Sequence, residues 1–272
     1  MKIALIGYGR MGRAVEDIAR ERGHTITARI RRSDAAPGAG ITQESMEGAD
    51  VAIDFSSPEA ALPNIRRTAA LGIDTVVGTT GWQASSLQLR RIVEEGGIGL
   101  IHSPNFSVGV HLFLRLVRQA GSLANRVEEY DPHLVETHHR HKRDHPSGTA
   151  LRAAEILLDE VDRKNRWEEV QAGTGTPAPQ ALQIAVARAG ENPGVHVLGL
   201  DGVDDRIEIR HEARTRGGFA RGAVAAAEWV HGRKGLFSME DWLGEHLGSS
   251  ESGSPGSPGG AGATARDDEE ES

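Results

Sequence analysis

The chain has 272 residues, no cysteine and a formal net charge of −8, with an isoelectric point near 5.8. The acidic balance argues against a nucleic-acid-binding protein. The lack of cysteine excludes disulfides, thiolate catalysis and cysteine-bound metals. A hydrophobic fraction of 38% and a charged fraction of 26% are ordinary for a globular protein, and the length leaves room for two domains. No stretch has the features of a membrane span or a signal peptide, so we expect a cytoplasmic protein.

The chain opens with a predicted strand at residues 2–6, a glycine-rich turn and a helix. The turn has the pattern G-x-G-x-x-G and consists of Gly7, Tyr8, Gly9, Arg10, Met11 and Gly12. Between a strand and a helix this pattern is typical of dinucleotide binding. Its glycines permit a tight turn, a close approach of the backbone to a pyrophosphate, and close packing of the helix. A glycine turn without a ligand is the alternative.

The cofactor type is indicated at the end of the second predicted strand, residues 25–30. An NAD-binding domain carries an acidic residue there, which holds the ribose 2′-hydroxyl. This chain has Arg31 and Arg32 instead. Two guanidinium groups suit a 2′-phosphate, so we predict a preference for NADPH, with NADH also possible. Two solvated surface arginines are the alternative.

Strands and helices continue to alternate up to about residue 108, as in a doubly wound parallel sheet. Further strands are predicted at residues 51–55, 74–77 and 98–101. The last two run into small or polar residues, which are Gly78, Thr79 and Thr80, then Ser103, Pro104, Asn105 and Phe106. Because the carboxyl edge of such a sheet binds ligands, we expect these turns to border the cofactor.

The pattern changes in the second half of the chain. Predicted there are a helix at 110–123, a strand at 127–138, a helix at 150–161, and strands at 181–188, 195–200 and 206–211. Consecutive strands after a helix indicate a separate α+β domain with an open mixed sheet. A last helix, 223–231, is apolar on most faces and is expected to be buried against the first domain.

These patterns predict three segments. Residues 1–108 and 216–247 form the Rossmann-like dinucleotide-binding domain, and 109–215 form the substrate-binding and oligomerisation domain. Residues 248–272 contain no apolar side chain larger than alanine and carry six acidic residues against one arginine. Such a composition is typical of a disordered, solvating tail.

Residues 136–150, E-T-H-H-R-H-K-R-D-H-P-S-G-T-A, hold the densest group of functional side chains. Four histidines and Lys142 can carry positive charge, and P-S-G-T marks a helix start whose free N–H groups favour an anion. Successive residues of a strand face opposite sides, so His138 and His139 should have different tasks. The segment therefore predicts a site that binds an anion and moves protons.

Two alternatives to this interpretation concern the same segment. Its histidines with Glu136 and Asp144 could bind zinc, although adjacent histidines pointing to opposite faces make a poor ligand pair, and we expect no metal. A solvated polar loop is the other alternative. Six other histidines are given a structural role only: His24, His102, His111, His196, His211 and His231.

Five motifs together resemble the 4-hydroxy-tetrahydrodipicolinate reductase (dihydrodipicolinate reductase) family. They are G-Y-G-R-M-G-R at 7–13, I-D-F-S at 53–56, V-G-T-T-G at 77–81, N-F-S-V-G-V at 105–110 and the segment 136–150. The last is the most specific, and the resemblance covers about residues 1–245. It implies reduction of 4-hydroxy-tetrahydrodipicolinate by NAD(P)H, with loss of water, in the diaminopimelate and lysine pathway. It also implies a homotetramer built through the second domain's sheet.

The resemblance also assigns roles to single residues. It implies that His138 is the proton donor and Lys142 the second catalytic group. Substrate contacts fall on His139, Ser147, Gly148 and Thr149, and nicotinamide contacts on residues 78–80 and 103–106. Members with an acidic residue before an arginine after the second strand use both nucleotides, but Arg31 stands where that acid would be. A nucleotide-sensing regulator and a dehydrogenase of another amino acid or hydroxy acid are the alternative functions.

Overall fold

A computed structural model describes residues 1–31, 36–170 and 176–247. Its described residues are organised around two β-sheets, one parallel and one mixed. The predicted Rossmann-like sheet and second mixed sheet are thus confirmed. Arg32 and the predicted acidic tail, 248–272, lie outside the described residues.

The first sheet has the strand order β11-β5-β4-β3-β1-β2, and all its pairings are parallel. Its strands are β1 (Lys2–Ile6), β2 (Thr25–Ile30), β3 (Val51–Asp54), β4 (Asp74–Val77), β5 (Gly99–His102) and β11 (Gly235–Phe237). Every residue of β3 and β4 is buried, because helices cover both faces of a doubly wound sheet.

Helices pack on both faces of this sheet. They are α1 (Arg10–Glu21), α2 (Pro58–Ala70), α3 (Ser86–Gly96), α6 (Gly217–Val230) and α7 (Met239–Leu247). Ile3 and Leu5 of β1 share a core with Val15 of α1 and Val224 of α6. The intervening Ala4 and Ile6 pack into a different cluster. The alternation of side chains along a strand thus gives each face its own core.

The second sheet has the order β10-β9-β6-β8-β7. Its strands are β6 (Asp131–His138), β7 (Arg166–Glu169), β8 (Ala181–Arg188), β9 (Val195–Asp201) and β10 (Arg206–Glu212). The central β6 pairs parallel with β8 and antiparallel with β9. Two helices, α4 (Val108–Arg126) and α5 (Gly148–Glu160), pack on the face that carries Leu134.

One buried carboxylate fastens the edge of the first sheet. Asp74, at the start of β4, is 5% exposed. Its Oδ1 accepts a hydrogen bond from the Gly99 N–H at 2.7 Å and its Oδ2 one from the Gly232 N–H at 2.7 Å. The side chain therefore ties β4 to β5 and to the segment that leads into β11.

The structure corrects several predicted elements. The strand predicted at 127–138 begins at Asp131, because Val127 is the C-cap residue of α4. The last helix begins at Gly217 rather than at residue 223, since two glycines of low helix propensity hide its first turn. The strands β7 and β11 and the helix α7 were not predicted. Both strands lie at sheet edges, are short and lack alternating apolar residues.

The helices of the described residues were also searched for a membrane span. None of them is both long enough and apolar enough to cross a bilayer.

Candidate active site

The glycine-rich turn has the geometry that the pattern predicts. Gly7 has φ +85°, and a Cβ there would lie 2.2 Å from the carbonyl oxygen of Phe55. A Cβ on Gly12 would lie 2.4 Å from the carbonyl oxygen of Gly7. A Cβ on Gly9, by contrast, would meet nothing within 4 Å. The first and third glycines are therefore required by packing, and the second leaves its backbone open for a ligand.

A cavity of about 790 Å³ lies beside this turn, at the carboxyl ends of the first strands. Its walls include Gly7, Tyr8, Gly9, Arg31, Phe55 and Ser56. Its size is in the range of small-molecule sites. Arg10, at the first position of α1, and Met11 stand at the helix end of the same turn. The turn and the cavity thus fit a dinucleotide phosphate group at a helix N-terminus.

Sequence reasoning missed a charged network behind Tyr8, which lines this cavity. The buried carboxylate of Glu16 accepts a hydrogen bond from the Tyr8 hydroxyl at 2.6 Å and two from Arg29 at 2.5 and 2.8 Å. The hydrogen bond from Arg29, opposed by burial and helped by Tyr8, lowers the pKa of Glu16 to about 2. The spacing of Tyr8 and Glu16 across the first turns of α1 was visible in the sequence, but the reach of Arg29 from β2 was not.

Positive charge surrounds the Tyr8 ring. The guanidinium carbons of Arg13, Arg29 and Arg31 lie 6.0, 5.7 and 5.2 Å from its centroid. Arg29 is engaged by Glu16, whereas Arg31 also lines the cavity. The edge of the cavity nearest β2 is therefore cationic.

Asp54 organises the opposite wall and was also missed, although it lies in the motif I-D-F-S. It is fully buried and accepts hydrogen bonds from the Ser56 N–H at 2.8 Å, the Thr79 hydroxyl at 3.0 Å and the Asn64 amide at 2.9 Å. Burial raises its pKa despite these hydrogen bonds. One carboxylate thereby joins the end of β3 to the predicted turn after β4 and to α2.

The two predicted cofactor turns lie side by side. The Ser103 N–H donates to the Val77 carbonyl at 3.2 Å, and the rings of Phe55 and Phe106 meet edge to face at 6.2 Å between centroids. A Cβ on Gly78 would lie 2.1 Å from the Phe55 ring, so only glycine fits there. Thr80 and Pro104 are exposed, whereas Thr79 is buried.

Asn105 fixes the shape of the second of these turns. Its carbonyl oxygen accepts hydrogen bonds from the Ser103 hydroxyl at 2.6 Å and lies 2.8 Å from Nε2 of His111. Its side-chain oxygen accepts from the Ser107 N–H at 2.8 Å. The turn is therefore held from both β5 and α4.

The second group of side chains is centred on Glu136, which is 1% exposed. Its carboxylate accepts hydrogen bonds from the N–H of Ser147 at 3.0 Å, from the hydroxyl of Ser147, and from Arg188 at 2.7 Å. The Nδ1 atoms of His138 and His196 lie 3.5 and 3.7 Å from its Oε2. Four elements of the second domain thus meet at one carboxylate.

The environment gives these groups different charges. Burial lowers the pKa of His138, with Glu136 opposing and the cations of Lys142 and Arg188 adding to the effect. Burial, and then the nearby His138, lower the pKa of His196 to about 4. Burial opposes ionisation of Glu136, but the hydrogen bonds from Ser147 and Arg188 hold its pKa below the usual range. At neutral pH an ionised carboxylate therefore lies between two neutral imidazoles.

The other predicted substrate residues surround this group. Lys142 pairs with Asp144 at 2.9 Å. Nδ1 of His139 is buried and has no hydrogen-bond partner among the described residues. Gly148 is exposed at the first position of α5, followed by the half-buried Thr149.

Ser147 faces the protein interior. It is 2% exposed, its hydroxyl donates to Glu136, and the same oxygen accepts from the Ala150 N–H at 3.3 Å. Its contact with the substrate stays a prediction. Its hydroxyl hydrogen is already used in the hydrogen bond to Glu136.

Both halves of the chain match family models of known proteins. Residues 1–106 match the family model "Dihydrodipicolinate reductase, N-terminus" and residues 109–243 match "Dihydrodipicolinate reductase, C-terminus". The chain belongs to the dihydrodipicolinate reductase family. The resemblance predicted from the motifs is confirmed, as is the assignment to NAD- or NADP-linked oxidoreductases.

Individual relatives match over most of their length. A 4-hydroxy-tetrahydrodipicolinate reductase of Christiangramia forsetii is 36% identical over 245 residues, which are 90% of this chain and 98% of that protein. The reductase of Methanosarcina barkeri is 40% identical over 200 residues, 72% of this chain and 73% of that protein. The dipicolinate-bound dihydrodipicolinate reductase from Paenisporosarcina sp. TG-14 has the same fold, with a TM-score of 0.68 and 20% identity over 88% of this chain and 97% of that one.

The structure gives a different set of side chains for the metal-binding alternative. Within the described residues, the side chains close enough to share an ion are Glu136, His138 and His196, whose ligand atoms lie within 4.8 Å of one another. His139, Asp144 and the other histidines of the segment are not in this group. Arg188, 2.7 Å from the same carboxylate, adds a positive charge that disfavours a cation.

His196 was given a structural role only, and the structure places it beside Glu136. It is the register partner of Glu136 across β6 and β9. That pairing joins residues 60 positions apart, so no local sequence pattern reveals it.

The role of Asp54 in shaping the nucleotide cavity can be tested with Asp54→Asn. The carboxamide replaces one acceptor oxygen with a donor, so one of three buried donors loses its partner, at a cost of about 1–3 kcal/mol. We expect a lower melting temperature and a severalfold higher Kd for NADPH by isothermal titration calorimetry. The matched control is Asp50→Asn just before the start of β3, where the half-buried aspartate accepts from the Lys2 N–H at 2.6 Å. Equal Kd values for both variants would contradict the role of Asp54.

Proposed function

We propose that this chain reduces 4-hydroxy-tetrahydrodipicolinate to tetrahydrodipicolinate, with loss of water, in the diaminopimelate and lysine pathway. The observation that carries the proposal is the pairing of an open glycine-turn cavity with the His138 and Lys142 group in a chain whose two halves both match the family. The names of the curated relatives support the same reaction. When bound, the nicotinamide supplies the hydride.

The substrate is a dicarboxylate, and the second domain offers the groups to hold it. Lys142 supplies a cation, and the N–H groups of Gly148 and Thr149 open the helix α5, whose N-terminal end favours an anion. The unpartnered, buried Nδ1 of His139 supplies one further polar contact. We assign these residues, with Ser147 behind them, to substrate binding.

Reduction of the substrate also requires a proton where negative charge develops. His138 is the assigned donor, because an imidazole can exchange a proton with the substrate and this one lies beside Lys142 and beside the ionised Glu136, which opposes the lowering of its pKa by burial. Lys142 assists by stabilising the substrate carboxylate. On the first domain, residues 78–80 and 103–106 are assigned to the nicotinamide side of the cofactor, and Gly7 to Gly12 to its phosphates.

The proton-donor assignment predicts the effect of His138→Gln. The variant should turn over about a hundredfold more slowly, with an unchanged Kd for NADPH, because only proton transfer is lost. Turnover is followed by NADPH absorbance, with substrate supplied from pyruvate and aspartate semialdehyde by the preceding synthase. The control is His246→Gln, an exposed histidine of α7 whose ring contacts the Trp242 carbonyl at 2.7 Å.

Two outcomes of this assay have distinct meanings. Near wild-type turnover by His138→Gln would refute the proton donor but not the reaction. Failure of the wild-type enzyme to oxidise NADPH in response to the cyclic substrate, with oxidation of another amino acid or hydroxy acid, would refute the reaction.

We also propose that NADPH is preferred over NADH. Arg31 lines the cavity where an acidic residue would hold a 2′-hydroxyl, and Arg13 adds positive charge beside Tyr8, whereas Arg29 is paired with Glu16. Charge-assisted hydrogen bonds of about 1.5–3 kcal/mol, weakened by solvent, support a preference of about tenfold. Arg32 is assigned to the same phosphate from its position in the sequence alone.

The double variant Arg31→Ala/Arg32→Ala should therefore lose this preference. The measurement is the ratio of kcat/KM for NADPH to that for NADH. Arg91→Ala is the control, because this exposed arginine pairs with Glu95 on α3. A double variant that keeps the wild-type ratio would mean that both arginines are merely solvated.

The homotetramer is a further proposal, and it concerns the outer face of the second sheet. Val135, Ala185 and Val197 are register neighbours on the face opposite Leu134 and Glu136, and Val135 is 36% exposed. An antiparallel or mixed sheet can leave one face for such a contact. Light scattering should give four times the chain mass of 29.1 kDa, and a single-chain mass would refute the assembly.

A further inference from the structure

Glu136 is buried and lies at the centre of four neighbouring side chains. Its neighbours come from the N-cap of α5 (Ser147), from β8 (Arg188), from β9 (His196) and from its own strand (His138). We propose that Glu136 is a positioning residue whose ionised carboxylate fixes the ring orientation and tautomer of His138. This inference rests on the proposed reduction, because it assigns Glu136 to the proton donor of that reaction.

The two nitrogen atoms of the His138 ring have different surroundings. Nδ1 lies 3.5 Å from Oε2 of Glu136 and has no hydrogen-bond partner among the described residues. On the other side, a Cβ on Gly194 would lie 3.0 Å from Nε2, so the glycine makes room for that nitrogen. The residue is 7% exposed, and its ring is held between these two groups.

This arrangement selects a tautomer. An ionised carboxylate accepts but cannot donate a hydrogen bond, so it favours a proton on the nearer nitrogen, Nδ1. Nε2 is then the nitrogen that exchanges its proton. As the imidazolium transfers the Nε2 proton to the substrate, His138 becomes the neutral Nδ1–H form, and a proton from solvent restores it for the next turnover.

Glu136 can serve this role because its own charge is secured. Ser147 and Arg188 donate to it, and they hold its pKa low despite burial. His196 lies at a similar distance, but its pKa of about 4 keeps it neutral, so it does not compete with His138 for a proton.

The charged and titratable groups around His138 determine the sign of the expected effect. They are Glu136 on β6, Lys142 and Asp144 on the following loop, Arg188 on β8, and His196 on β9, with the His211 ring of β10 facing that of His196 across Phe113. Glu136 raises the pKa of His138, while Lys142 and Arg188 lower it. Removing the charge at 136 leaves the two cations unopposed by this carboxylate, so protonation of His138 becomes harder.

The test is the pH profile of kcat for Glu136→Gln and Glu136→Asp. A protonated donor is lost as pH rises, so the alkaline limb of kcat reports His138. An opposite charge at this range shifts a pKa by about 1–3 units, so Glu136→Gln should move this limb to lower pH by about one unit or more. Glu136→Asp keeps the charge and should keep the limb near its wild-type position, even if kcat falls. The Kd for NADPH should not change in either variant.

Asp74→Asn is the matched control, because it makes the same change at a buried carboxylate of the other sheet. It should lower the melting temperature without moving the alkaline limb. A limb that moves as much in Asp74→Asn as in Glu136→Gln would overturn the proposal, since general destabilisation would then explain the shift.

A second measurement uses the wild-type protein and does not depend on activity. Nitrogen-15 NMR of the histidine rings should find His138 as the Nδ1–H tautomer. The Nε2–H tautomer, or an unmoved alkaline limb in a folded Glu136→Gln variant, would overturn the role of Glu136 and leave the reaction intact. Absence of substrate-dependent NADPH oxidation by the wild-type enzyme would instead overturn the proposed reaction, and the tautomer would still decide the orientation.

Discussion

Burying a carboxylate without hydrogen-bond donors has a high free-energy cost. The buried carboxylates of both sheets therefore recruit donors from neighbouring segments, and these hydrogen bonds hold the segments against the strands. Asp54, at the end of β3, gathers the Ser56 N–H, the Thr79 hydroxyl and the Asn64 amide. Glu136, near the end of β6, gathers Ser147 at the start of α5. In each case the donors belong to segments that border the predicted ligand. The same interaction that satisfies a buried acid therefore shapes a binding surface.

These buried carboxyls differ in the direction of their pKa shifts, and they also differ in whether a cation is among their donors. Asp54 has only neutral donors in its network, and burial raises its pKa. Glu136 accepts hydrogen bonds from Ser147 and Arg188 and Glu16 from Arg29, and the pKa values of both carboxyls are lowered. For Glu16 the folded-state pKa of about 2 lies below the ordinary value of 4.5. Its contribution to stability is therefore present at neutral pH and is lost as pH falls from about 4.5 toward 2.

Local patterns in the sequence predicted those features of the fold and site that depend on residues close together in the chain. The glycine turn at residues 7–12, the alternation of strands and helices, and the dense segment 136–150 were visible in the sequence and led to the family. The missed features depend on distant pairing. His196 meets Glu136 through strand register, and Arg29 reaches Glu16 from the next strand. Edge strands such as β7 were missed because solvent, rather than a core, determines their composition.

In the proposed reaction, the opposing influences on the pKa of His138 couple its protonation to substrate binding. In the free site, burial and the cations of Lys142 and Arg188 outweigh Glu136, and the ring is neutral. A dicarboxylate that pairs with Lys142 brings negative charge and cancels one of the two cations. Both changes raise the pKa of His138, while the ionised Glu136 is already in place to stabilise the imidazolium. In the proposed reaction the donor is therefore charged when the substrate is bound, and the carboxylate that orients it also stabilises that charge in a buried site.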